Sequence, residues 1–170
     1  TLVPFMFGLL FTSMVQGMPI DAEGNMSAHF GDYVNLFSVV GGIALTLLCY
    51  LHGLNYIALK TTGPIRDRAR NYASAFYGVL YFGLVAFAAL LYFKTDFFEK
   101  HFASTLLLLI VIVALTLIAN ISVFKGKEMV AFIASGLTMV ALVGLLFSGL
   151  FPRVLISSID PSYDLLIAEA

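Results

Sequence analysis

Apolar residues run along this chain in long blocks, not in the one-faced or alternating patterns of soluble elements. Five blocks stand out, at about 2–18, 33–59, 72–93, 104–124 and 129–151. A bilayer core of roughly 30 Å needs about 20 apolar residues of helix to cross it; four blocks reach that length and the first is short. The last four contain no Asp, Glu, Lys or Arg, as expected where a charge at mid-membrane costs at least about 2.5 kcal/mol. Barrel strands would be shorter and would alternate apolar with polar positions. The pattern predicts an all-α, multi-pass transmembrane helical bundle of about five spans, forming one transmembrane domain over 1–170. Thr1 opens inside apolar sequence and Ala170 follows no basic stop, so the chain reads as a fragment truncated at both ends.

The polar connections predict an orientation. The stretch 60–71 holds Lys60, Arg66, Arg68 and Arg70 against Asp67, and 125–128 is Lys-Gly-Lys-Glu. Stretch 19–32 is acidic, 94–103 is balanced, and the tail 152–170 sets Arg153 against Asp160, Asp164 and Glu169. Lys and Arg mark the cytoplasmic side. Loops 60–71 and 125–128 are therefore expected in the cytoplasm of a bacterial cell, and the tail outside, its acids solvated. Tyr and Phe near both span boundaries fit the headgroup level.

Composition narrows the class. Of 170 residues, 61% are hydrophobic and only 11% charged, and mean hydropathy is +0.99. A soluble domain carries about 25% charged residues, so a soluble enzyme and a disordered tail are excluded. Lys60 is the first Lys or Arg in the chain, leaving no basic footprint there for nucleic acid. The one cysteine, Cys49, can form no internal disulfide. Small-residue pairs four apart (Ser38/Gly42, Ser74/Gly78, Gly144/Ser148) would permit close helix approach.

Candidate chemistry is sparse. Strong polar groups inside the spans are Gln16, His52, Asn55 and Asn120. His52 lies about 12 Å before Lys60 on an ideal helix, and Asn55 shares its face. Three functional readings are a haem ligand, a proton relay and a quinone contact. Against them stands a neutral imidazole bonded to a neighbouring helix, the reading preferred here. A bis-ligand haem site would need a second ligand at matching depth, and His29 and His101 fall in loops; Met129 and Met139 are weak alternatives. Gln16-Gly17-Met18-Pro19 reads as a helix stop, with Gln16 capping backbone, and Asn120 as a bond across helices. Arg66, Arg68 and Arg70 read as a topological signal. Asp21, Glu23 and His29 have no metal-ligand spacing, and no nucleophile–base pair or phosphate loop occurs. No catalytic or metal-binding residue is expected in this chain; His52 and Asn55 are its tentative cofactor-facing pair.

Three stretches carry a family resemblance: Leu10–Ser27 with its Gln-Gly-x-Pro turn, Gly41–Tyr72 with Cys49-x-x-His52-Gly53-Leu54, and Leu150–Glu169 with Phe151-Pro152-Arg153-Val154 before Ser157-Ser158. In order and spacing they resemble subunit II of the cytochrome bd quinol oxidases in its Gram-positive form. The resemblance implies a haem-free subunit of a heterodimeric terminal oxidase in the cell membrane. Its partner, subunit I, would carry haem b and haem d, oxidise quinol and reduce oxygen to water in aerobic respiratory electron transport. The resemblance also implies helices before Thr1, which hold the acidic residues proposed for proton entry, and one after Ala170. A small accessory subunit or a bound quinone beside this chain is left open. The competing reading, a secondary transporter domain, calls for inverted repeats and broken helices; Gly41-Gly42 is the sole candidate break and no repeat is visible.

Overall fold

The computed structural model describes residues 2–169; Thr1 and Ala170, on which the truncation reading falls, lie outside the described residues. Five helices make the bundle: α1 (Leu2–Gln16), α3 (Leu36–Lys60), α4 (Pro64–Lys94), α6 (Phe102–Phe124) and α7 (Glu128–Leu150). Single-turn helices α2 (Phe30–Tyr33) and α5 (Phe97–Lys100) sit in the connections. The tail folds into an antiparallel pair, β1 (Arg153–Leu155) with β2 (Leu165–Leu166). Four of the helices are long and apolar enough to cross a bilayer, and α1 is a shorter apolar helix. This is an all-α, integral membrane architecture.

Local chemistry sets the helix ends. Asn35 caps α3: its Oδ1 accepts from Ser38 N at 3.0 Å, and Ser38 Oγ accepts from Asn35 N at 2.9 Å, the reciprocal arrangement of a capping box. Gly63 at φ +64° turns the chain and Pro64 opens α4, where a missing N–H costs nothing. At the end of α6, Gly126 takes φ +66°. Its N–H donates to Val123 O and that of Lys127 to Ser122 O, which is a Schellman stop. Gly17 at φ +106° ends α1 in the same left-handed region, as the Gln-Gly-x-Pro turn predicts.

The stretch 60–71 is a correction. Only Thr61–Gly63 separate α3 from α4, so Arg66, Arg68 and Arg70 ride on helix, not on a loop. At 31 residues, α4 is about 46 Å long and overshoots a bilayer core by nearly three turns. Charges on those turns are compatible with a span because they stand beyond it.

Glycine lets two helix backbones approach closely where α1 crosses α3. A Cβ on Gly8 would sit 2.6 Å from Gly42 Cα, and one on Gly42 would meet the Phe5 ring at 2.8 Å. Thr12 fills the space beside Gly41. So α1 lies flush on α3, and the glycine pair is a packing surface; α3 runs unbroken through it. The pairs Ser74/Gly78 and Gly144/Ser148 behave differently, with nothing within 4 Å of either glycine's Cβ position. Gly149, by contrast, is filled by the Phe97 ring. The core runs the length of the bundle through Leu51, Tyr77, Leu80, Leu91, Ile112 and Leu145.

Candidate functional site

Polar groups inside the bundle gather where α3, α4 and α7 meet. His52 Nδ1 lies 2.9 Å from Ser135 Oγ on α7, and the Phe132 ring stacks on the imidazole at 4.4 Å between centroids. Gly136 makes room for it, since a Cβ there would stand 3.3 Å from His52 Cε1. One turn on, Asn55 is 1% exposed. Its Nδ2 donates to Tyr77 Oη on α4 at 2.9 Å and to Ala131 O on α7 at 3.3 Å. The spacing placed His52 and Asn55 on one face, and the structure aims both at α7. Asn120 Nδ2 bonds Tyr81 Oη at 3.0 Å, joining α6 to α4. Gln16 does not cap: its Oε1 is buried without a partner.

Near the start of α4 the arginines bind protein. Arg66 Nε donates to Thr61 O at 2.7 Å and Ala58 O at 3.1 Å, taking up carbonyls that the end of α3 leaves free. Arg70 pairs with Glu128, the first residue of α7. Arg68 remains exposed. Neither role is legible in the sequence, because a topological arginine and a pairing arginine look alike without a neighbour.

The opposite end holds an ionic cluster that sequence reasoning missed. Arg153, 6% exposed, donates from Nη1 and Nη2 to both oxygens of Asp96 at 2.8 and 3.0 Å and to Asp164 at 3.3 Å. Lys100 reaches Asp96 at 2.7 Å. Burial pushes the Asp96 carboxyl up, but hydrogen bonds from Arg153 and Lys100 outweigh it and hold the pKa at about 2. Those same bonds to Asp96 raise Arg153 above its ordinary value. Asp164 also accepts from Ser157 N at 2.8 Å, so it is a buried partner and not a solvated tail acid. The exit of α1 is stitched to this tail through Met18 N to Ile156 O and Ser158 N to Met18 O, each 2.8 Å. One Arg among three tail acids was the available signal.

Haem fits this chain poorly. A haem held between two histidines would need a second one at the depth of His52, and His29 and His101 lie in the connections at the other end of the bundle. Among the described residues no group of three or more His, Cys, Asp or Glu is placed to hold a metal.

The geometry defines a class: a polytopic helical membrane protein whose buried polar groups tie helices together. A model of the family described as "Cytochrome bd terminal oxidase subunit II" matches residues 1–170. The chain belongs to that family. It is 42% identical over 167 residues to cytochrome bd ubiquinol oxidase subunit 2 of Bacillus subtilis (strain 168), covering 98% of this chain and 49% of that protein. It is 30% identical over 69 residues to a probable cytochrome oxidase subunit 2 of Haemophilus influenzae, covering 38% of this chain and 18% of the relative. At most, then, the chain spans about half the length of these relatives.

Proposed function

We propose that this chain is part of the non-haem-bearing subunit of a bacterial cytochrome bd terminal oxidase, in which quinol oxidation is coupled to reduction of oxygen to water. Its work is mechanical: one face of the bundle packs against the haem-bearing subunit I, shields the haems from lipid and stabilises the complex. Family membership over the whole chain carries this reading. The separation of His52 from His29 and His101 along the bundle supports assigning the haems to the partner. Packing and interhelical bonds, not hydrophobic transfer, must hold such helices together within lipid, and the α1–α3 crossing and the His52–Ser135 and Asn55–Tyr77 bonds are contacts of that kind.

Orientation follows from charge. Lys60, Arg66, Arg68, Arg70, Lys125 and Lys127 all lie at one end of the bundle, whereas Lys94, Lys100 and Arg153 lie at the other. By the positive-inside rule the first end faces the cytoplasm and the tail faces outward.

Affinity purification of the tagged full-length protein from membranes tests the assignment. It should bring down a partner with haem b absorption and a red-shifted haem d band; a colourless preparation from intact, oxidase-competent membranes contradicts it. For sidedness, a membrane-impermeant maleimide should label Ser162→Cys in intact cells and leave Lys127→Cys unlabelled.

A further inference from the structure

Two buried polar atoms without partners face one small cavity. Asn55 Oδ1 and Arg70 Nε have no hydrogen-bond partner in the protein, and both residues line a small pocket shared with Ala58, Val123, Glu128 and Ala131. Asn55 itself is 1% exposed. Flipping the amide would set its oxygen 3.3 Å from Ala131 O, acceptor against acceptor. An acceptor and a donor left bare in lipid-embedded protein are costly, and such groups are ordinarily satisfied. The pocket leaves about 10 Å³ for the centre of a water molecule, near the minimum of roughly 10–15 Å³ at which a cavity holds one.

We propose that a single water molecule resides in this pocket, donating to Asn55 Oδ1 and accepting from Arg70 Nε–H. Its second hydrogen is free to point at the Glu128 carboxylate, giving three polar partners, the usual number for a buried water. The water closes a chain of polar contacts from the Arg70–Glu128 pair through Asn55 to Tyr77, linking α4, α7 and α3. Above Tyr77 the core is Leu80 and Leu84, so the chain of contacts ends there and the site is a binding pocket, not a conduit.

A structure of the full-length protein with its co-purifying partners, at a resolution that shows ordered water, tests this. Expected is one isolated density peak at about 2.6–3.2 Å from both Asn55 Oδ1 and Arg70 Nε. An empty pocket, a protein donor on Asn55 Oδ1, or density larger than water overturns the proposal. The same structure of Arg70→Lys gives a second reading, since lysine keeps the charge for Glu128 but has no Nε–H at that position. The peak should weaken or vanish there while the helices stay in place; an unchanged peak contradicts the assigned bridge.

Discussion

The two ends of the bundle solve the same problem with different chemistry. At the tail end one buried arginine gathers two carboxylates from segments 57 and 11 residues away along the chain, and backbone bonds stitch the α1 exit to the tail. At the basic end six Lys and Arg meet two acids, Asp67 and Glu128, and among the described residues only Arg70 finds a carboxylate; Arg66 spends its Nε–H on carbonyls. Charge around Arg153 is compensated and structural, two bases against two acids. At the basic end it is in excess, which is what orientation in a membrane requires.

Arg153→Ala should break the tail end most severely. It leaves Asp96 and Asp164 facing each other without their shared cation, and removing one partner of a buried ion cluster costs about 3 kcal/mol. The thermal midpoint of the purified protein should fall sharply, while Arg68→Ala at the basic end should leave it within error. A pH series sharpens the contrast. Asp96 is held at about 2 against an ordinary 3.8, so its stabilisation is complete above pH about 4 and is lost as pH falls towards about 2. In Arg153→Ala that acid-dependent loss should largely disappear.

Next in size is the α1–α3 crossing. Gly41→Val must displace Thr12, and overpacking of this sort costs typically about 2 kcal/mol; Gly78→Ala, which meets nothing within 4 Å in this chain, should be neutral or slightly stabilising through helix propensity. If Gly78→Ala instead weakens retention of the partner subunit on purification, the face bearing Gly78 is the docked one. Smaller still is Tyr77→Phe, which removes one interhelical bond worth about 0.6 kcal/mol in a membrane interior and should lower the thermal midpoint only slightly.

The fold was readable because lipid imposes a blunt rule. A backbone in hydrocarbon must satisfy itself, so long apolar blocks became helices with ends a few residues from those expected, save the start of α4, which lies eight residues earlier. Where the sequence was ambiguous, the decision belonged to tertiary contact. The first turns of α4 look like a loop because they are charged, yet they are helical, with Pro64 to start them and Ala58 and Thr61 carbonyls for Arg66. His52 and Asn55 were legible as a pair from their spacing, but Ser135, Tyr77 and Ala131 lie 22 to 83 residues away and no local pattern names them. Arg153 was hidden for the same reason: an arginine after a span reads as a flank until Asp96 is brought beneath it. In two of the three small-residue pairs a Cβ on the glycine meets nothing within 4 Å in this chain.

On the function proposed, this chain supplies helix packing and no haem ligand to the oxidase. The most direct measurement is the reduced-minus-oxidised optical spectrum of the assembled complex carrying His52→Gln, compared with the unaltered protein at equal subunit stoichiometry. The account predicts haem b and haem d bands of undiminished intensity and position. Loss or displacement of one haem's bands from a complex that still contains both subunits would contradict it.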